Sequence, residues 1–239
     1  MLSWLERTEL LLGEEKLKIL RKSNILVVGL GGVGAYAAEM LSRSGIENLT
    51  IVDADIVNPS NINRQLIALR STIGKYKADV LYERLKDINP RANLNKQIIF
   101  LKDNLIDELL DSQRFDYVVD AIDTLSPKVN LIKSCLEKGI PVVSSMGAGA
   151  KTAPEQIEIK DISKSHHCPL AHMLRKRLHK IGIHKGFKVV FSPEKPCEGA
   201  LILCDEQNKK SNVGTISYLP VVFGCFCASV VIRDLLGEL

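Results

Sequence analysis

Asn24-Ile-Leu-Val-Val-Gly-Leu-Gly-Gly-Val-Gly34 is the stretch whose reading decides the fold. Ile25 to Val28 is a short, largely β-branched apolar run without alternation, the pattern of a parallel strand covered on both faces. Gly29, Gly31 and Gly34 then give G-x-G-x-x-G, with Gly32 as a further glycine inside it. From Val33 to Leu41 the composition turns to Ala, Glu, Met and Leu, which favour helix. Glycines in such a turn accept positive φ and let a phosphate approach the backbone. The free N–H groups of the helix start then face the anion. Asp53 lies nineteen residues past Gly34, at the end of the strand candidate Leu49–Val52, where an acid reaches a ribose hydroxyl. Strand, glycine turn, helix, second strand and acid in register predict a nucleotide site.

Outward from that site, the totals set bounds. With 239 residues, 46% hydrophobic and 25% charged, the chain is long enough for one large domain of ordinary soluble composition. A net charge of +4 is too mild by itself to argue for a polyanionic partner. Met1 to Arg21 alternates acids and bases in an amphipathic pattern and does not read as a signal peptide. The longest apolar run, Tyr218 to Ile232, contains Pro220 and Gly224 and is short of the ~20 residues a bilayer span needs. It is expected to be a buried or dimer-interface helix, with no transmembrane segment. Six cysteines without a CxxC pair are expected to be reduced thiols in a cytoplasmic protein.

The rest of the chain keeps an alternating rhythm. A helical segment over 3–21, broken at Gly13, precedes the first strand. A polar loop follows Asp53, then a basic helix from Lys75 to Ile88 that Asn89-Pro90 stops. Strands are predicted over 94–101, 115–121 and 141–146, with helices over 104–110 and 127–138 between them. This predicts an α/β fold with a doubly wound, mostly parallel sheet, whose ligands bind outside the carboxyl ends of the strands. Asp53, Asp123 and the loop from Gly147 to Gly149 fall at those ends. Residues 1–150 are expected to form the nucleotide-binding core and 151–239 a part for substrate and dimer contacts. In the latter a strand is predicted over 187–192, a polar irregular stretch over 201–210, and a closing helix over 218–236. Between Lys160 and Lys195 nine Lys or Arg stand against Asp161 and Glu194, a local excess of +7.

The loop after Asp53 separates two nucleotide chemistries. Asn58, Asn61, Arg64, Gln65 and Lys77 put two permanent cations and several amides near the ribose acid. A dinucleotide redox module gains little from that much positive charge. A triphosphate, whose pyrophosphate leaves, needs such cations to stabilise the separating charge. Asp123, at the end of a neighbouring strand, is placed to hold Mg²⁺, which takes carboxylate and phosphate oxygens.

Arg7…Gly13-Glu-Glu, Val28-Gly-Leu-Gly-Gly-Val-Gly34, Asp53-Ala-Asp55, Ser60-Asn-Ile-Asn-Arg-Gln65, Gly74…Lys77, Asn89-Pro90 and Asp120-Ala-Ile-Asp123 together resemble the ubiquitin-activating-type adenylyltransferases. The resemblance implies ATP and Mg²⁺ as cofactors in a Rossmann-like site, with a C-terminal extension to the fold. It places Gly32 against the phosphates, Asp53 on the ribose, Arg64 and Lys77 on the triphosphate, and Asp123 on the metal. Asn61 and Gln65 would line the same pocket, and Asp55 and Thr124 fall within its motifs. Arg7 resembles an N-terminal arginine that reaches ATP in the partner subunit of a homodimer. Relatives that activate sulfur carriers usually carry a pair of CxxC motifs, which this chain lacks. Asp123-Thr-Leu-Ser-Pro-Lys128, Met146-Gly-Ala-Gly-Ala-Lys151, Asp161-Ile-Ser-Lys164, Pro169-Leu-Ala…Arg175-Lys-Arg-Leu178, Lys188-Val-Val-Phe-Ser192 and Glu194-Lys-Pro196 are similar instead to another branch. That branch dehydrates threonylcarbamoyladenosine in tRNA, with two departures here: Cys168 stands where an acid is usual, and the insert after His179 is short. The resemblance implies tRNA as partner, gripped by Arg175, Lys176, Arg177, Lys180 and Lys188, and leaves room for a sulfur-transfer protein. Cys197 and Cys204 lie in no motif that would activate a thiol, and His166, His167, Cys168 and His172 lack a second ligand pair for zinc.

Overall fold

Strand β1 (Asn24–Val28) is an interior strand of a seven-stranded sheet, and its residues alternate between two helical layers. Ile25 and Val27 face one layer, where they join Leu20, Leu41, Leu81 and Phe223. Leu26 and Val28 face the other, with Ile106, Leu131, Ile132 and Leu174. This is why the run carries no polar alternation. The computed structural model describes residues 4–206 and 209–238; Ser3, the start of the predicted first helix, lies outside them.

Chain order gives α1 (Glu6–Leu12), α2 (Glu14–Lys22), β1, α3 (Gly34–Arg43), β2 (Asn48–Val52), α4 (Lys77–Ile88) and β3 (Asn93–Gln97). Then come α5 (Asn104–Asp111), β4 (Tyr117–Asp120), α6 (Leu125–Glu137), β5 (Val142–Ser145), β6 (Glu158–Asp161) and α7 (Pro169–His179). The last elements are β7 (Lys188–Phe191), β8 (Leu201–Glu206), β9 (Lys209–Val213) and α8 (Tyr218–Leu235). The sheet order is β3-β2-β1-β4-β5-β7-β6, parallel except for β6, which runs antiparallel to β7. Val28 pairs with Val52 and with Asp120, and Asp120 with Ser144, so the carboxyl ends of four strands share one edge.

Two expectations were off, and one strand was not foreseen. The strand predicted over 94–101 stops at Gln97 because its one partner among the described residues, β2, ends at Val52 opposite it. The charged segment Glu158–Asp161, for which no element is predicted, is an edge strand, where charged side chains are tolerated because one side is open. The stretch read as irregular forms the antiparallel pair β8–β9, with Leu201 opposite Val213.

Helix α8 is long and apolar enough to cross a membrane by length and composition alone, with a mean hydropathy of 1.6. Its residues Leu219, Phe223, Cys227, Val230 and Val231 are instead buried in the core. Gly224 lets it approach α3 closely: a Cβ there would stand 2.6 Å from the Val33 carbonyl oxygen. A Cβ on Gly32 would likewise meet Pro220 at 3.0 Å, so α8 buttresses the glycine turn from behind.

Candidate nucleotide and substrate site

The glycine turn is fixed by close approach rather than by habit. Gly29 has φ of 88°, and a Cβ on it would stand 2.8 Å from the Ala121 oxygen. A Cβ on Gly34 would lie 1.8 Å from the Gly29 oxygen, so no other residue closes this turn. Asp53, just past β2, accepts from the Leu30 amide at 2.6 Å and from the Asp55 amide at 2.8 Å. It thereby ties the two loops together. Burial raises its pKa, although the Lys77 charge and both amides oppose that rise.

The loop after β2 carries the other residues expected to meet a nucleotide. Asn61 is buried and accepts the Asn58 amide at 3.0 Å, which closes a short 3₁₀ turn. Arg64 is held by its own loop: Nη1 donates to the Ser60 carbonyl and to Asn63 Oδ1, each at 2.8 Å. Its Cγ passes 3.5 Å from where a Gly32 Cβ would sit. Burial lowers the guanidinium pKa, and the Asp123 charge acts in the opposite sense. The residue expected on the triphosphate and the residue expected on the metal are therefore close enough to influence each other's charge. Gln65 is buried beside Gly31, and its Oε1 has no hydrogen-bond partner. A buried amide oxygen without a partner marks a place where something else bonds. Lys77 opens α4, only 5% exposed, and its ammonium lies 2.7 Å from the exposed Asp55 carboxylate.

Asp123 is exposed between β4 and α6, and Thr124, the N-cap of α6, donates from its hydroxyl to Asp123 Oδ1 at 3.4 Å. Below it lies a group whose role the sequence reading missed. Lys128 and Asp120 are wholly buried and paired at 2.8 Å, with Ser144 bonded to the same carboxylate. The signal available was a lysine within an otherwise apolar helix face, four residues past the N-cap. A second missed residue, Lys151, is buried and donates to the Ser192 carbonyl at 2.6 Å; burial lowers its pKa against the charges of Cys168 and Glu194.

The segment after β9 closes one side of the site. Asn63 donates to the Thr215 carbonyl at 2.9 Å, Tyr218 donates from its hydroxyl to the Thr152 carbonyl at 2.8 Å, and Ala150 bonds Gly214. The basic helix α7 lies beside α6, and Arg177 reaches Ser126 at 3.3 Å, three residues from Asp123. Of the five cations expected to meet RNA, Lys176, Arg177 and Lys180 are exposed. Arg175 is half-buried and donates to the Ser165 carbonyl and hydroxyl. Lys188 starts β7, at the edge opposite the strand carboxyl ends, and pairs with Asp234, which also accepts from Tyr117. Arg7 is exposed on α1, a helix that buries none of its residues.

Among the described residues, no three His, Cys, Asp or Glu side chains gather as a metal site. Cys197 is exposed and Cys168 buried, both as free thiols; the side chain of Cys204 lies outside the described residues. One exposed carboxylate facing a guanidinium, a buried ammonium and an unpartnered amide fit Mg²⁺ held jointly with phosphate oxygens, since that ion usually takes one or two protein carboxylates.

A profile of the ThiF family matches residues 5–238. The chain is 39% identical to the tRNA threonylcarbamoyladenosine dehydratase of Bacillus subtilis, over all of this chain and 97% of that protein. It is 40% identical to the enzyme of the same name from Escherichia coli, over 80% of this chain and 75% of that one. The crystal structure of the Escherichia coli tRNA N6-threonylcarbamoyladenosine dehydratase in complex with ATP superposes with a TM-score of 0.89, at 33% identity, covering 97% of this chain and 93% of that one. The AMP complex of that protein superposes with a TM-score of 0.88 at 33% identity, covering 97% of this chain and 93% of that one.

Proposed function

The chain belongs to the ThiF family, and from that premise we propose that it is an ATP-dependent dehydratase cyclising threonylcarbamoyladenosine in tRNA. One observation supports the reading: Arg64 and Gln65 lie against the glycine turn at the carboxyl edge of the sheet, and an ATP-bound relative at 33% identity shares the fold.

The chemistry follows from what these residues can hold. Asp53 bonds the ribose, and the amides of the glycine turn meet the phosphates. A threonine carboxylate oxygen attacks the α-phosphorus, and the bond to pyrophosphate breaks. Arg64 and Lys77 hold the charge that collects on the leaving group. Mg²⁺ held by Asp123 and phosphate oxygens would neutralise further charge there. The ureido group of the same nucleoside then attacks the acyl adenylate and expels AMP. Both reacting groups belong to one molecule, so proximity supplies much of the acceleration. The oxygen lost as water leaves on AMP, and the ureido proton passes to solvent. No enzyme nucleophile is needed.

Lys176, Arg177 and Lys180 form the RNA face, which Arg177 joins to the first turn of α6 beside Asp123. Arg175 braces that face through Ser165. The protein acts as a cytoplasmic homodimer, in which Arg7 reaches the partner's nucleotide. Leu10 and Leu11, 81% and 83% exposed on the same helix, support a second chain covering that surface.

Pyrophosphate exchange tests the reading against the sulfur-carrier alternative. Exchange should require tRNA bearing the threonylcarbamoyl group and ignore a ubiquitin-like carrier with a Gly-Gly terminus. Carrier-dependent exchange without tRNA would reverse the assignment, and reduction of nicotinamide without ATP affinity would restore the redox module.

A further inference from the structure

Three elements converge on one hidden carboxylate. Asp120 ends β4, Lys128 lies on α6 and Ser144 on β5, and all three are wholly buried. Lys128 Nζ stands 2.8 Å from Asp120 Oδ2 and donates to the Ile122 carbonyl at 2.9 Å. The Ser144 hydroxyl donates to the same Oδ2 at 2.6 Å, and the Ile122 amide donates to Oδ1 at 3.1 Å. Ile122 is thus pinned through both its amide and its carbonyl, immediately before Asp123. The Lys128 amide donates to the Thr124 carbonyl at 3.3 Å, immediately after it. Asp123 itself is exposed, so the chain holds its backbone on both sides and leaves its carboxylate to the cleft.

A buried ion pair is a poor source of stability, because desolvation offsets the attraction and apolar groups of similar shape often serve as well. Its position accounts for it better. The segment it fixes also walls the glycine turn: a Gly29 Cβ would stand 2.8 Å from the Ala121 oxygen, and a Gly34 Cβ 3.1 Å from the Ala121 Cβ. We propose that Lys128 is a positioning residue, which works through buried Asp120 and Ser144 to fix the spacing between Asp123 and the glycine turn. This rests on the ATP reading above, in which that spacing spans a metal-bound triphosphate.

The test uses the full chain with the double variant Asp120→Asn/Lys128→Met, which removes both charges together, and with Ser144→Ala. Binding of Mn²⁺ to the complex with an α,β-methylene ATP analogue, followed by electron paramagnetic resonance, reads the metal without turnover. The double variant should fold and bind the analogue without metal as the wild type does. Its Mn²⁺ affinity should fall, and its AMP release should drop on the order of 100-fold, the loss that about 1 Å of misplacement brings. Ser144→Ala should show the same order of losses at smaller size, and it decides alone if the double variant does not fold. Wild-type Mn²⁺ affinity and AMP release in a folded variant would overturn the proposal. So would losses of analogue, metal and tRNA binding that all track a lost folded fraction. Asp123→Ala runs beside them: if AMP release survives it, the ATP site is misplaced, and the failure lies there.

Discussion

Replacing Arg64 by Ala separates the chemistry of the site from its architecture. The Arg64 side chain anchors itself through Nη1 alone, to the Ser60 carbonyl and Asn63 Oδ1, both within its own loop. The other guanidinium donors have no protein partner among the described residues, and a guanidinium has five in all. They are the ones available to a departing pyrophosphate. Losing a donor aimed at charge that develops in the transition state costs about 2.7–4 kcal/mol, or roughly 100- to 1,000-fold in rate. Losing two local, partly exposed hydrogen bonds costs at most about 1 kcal/mol each. At roughly 2–4 °C per kcal/mol for a chain of this size, Tm should fall by only a few degrees. Arg64→Lys keeps the charge and loses the planar fork, so its rate should fall between the two. The assay is single-turnover AMP release, with thermal unfolding on the same preparation. AMP release within about twofold of wild type, from Arg64→Ala enzyme that binds ATP, would refute the reasoning, because the rate factor above leaves no room for it.

Three further outcomes follow from particular residues. Gly34→Ala would place a methyl 1.8 Å from the Gly29 oxygen, and overpacking costs about 1–3 kcal/mol or more; circular dichroism and ATP titration should show a destabilised chain without nucleotide affinity, and a normal ATP Kd would contradict the turn. Burial of Glu39 pushes its pKa up, but hydrogen bonds from Arg84 and Arg43 outweigh that and hold it below 4.5. Its folded value lies below its unfolded one, so its stabilising contribution is complete above that pH and is lost as pH falls through the folded value. Tm should therefore drop on acidification below pH 4.5, and Glu39→Gln should flatten that part of the curve; an identical slope in the variant would count against the Arg84–Glu39–Arg43 cluster. Alanine at Lys176, Arg177 or Lys180 should each reduce the slope of log affinity against log salt by about 1. Lys188→Ala should leave that slope alone and lower Tm, since it strips Asp234 of its cationic partner and leaves only the Tyr117 hydroxyl; the reverse pattern would move the RNA face to β7.

Much of the fold was legible because the pattern that specifies it is local. Ile25 to Val28 must be apolar at every position to sit between two layers, and the glycines at 29 and 34 answer to contacts within that same turn. The α/β alternation up to β5 follows from runs that each carry their own period. The sequence was less legible where an element depends on its partner. Strand β6 is polar because it forms an edge, and β3 stops where β2 stops. The site shows the same division. Motif spacing brought Asp53, Arg64, Gln65, Lys77 and Asp123 to notice; Asp53 ties to the glycine turn through the Leu30 amide, and Arg64 and Gln65 lie against it. Lys128 and Lys151 were passed over, because only the packed chain reveals that an ammonium is buried. Charge counting pointed to α7, yet it could not show that Arg175 and Lys188 already hold partners within the chain.

Joining ATP cleavage to the loss of one carboxylate oxygen is the heart of the account, and a single reaction examines it. tRNA bearing threonylcarbamoyladenosine, with that carboxylate labelled by ¹⁸O, is incubated with the protein, ATP and Mg²⁺, and the digested nucleosides and the AMP are weighed by mass spectrometry. The cyclised nucleoside should appear in step with AMP, and one labelled oxygen should be found in the AMP phosphate. Cyclised nucleoside with unlabelled AMP, or AMP without cyclised nucleoside, would contradict adenylation of the threonine carboxylate.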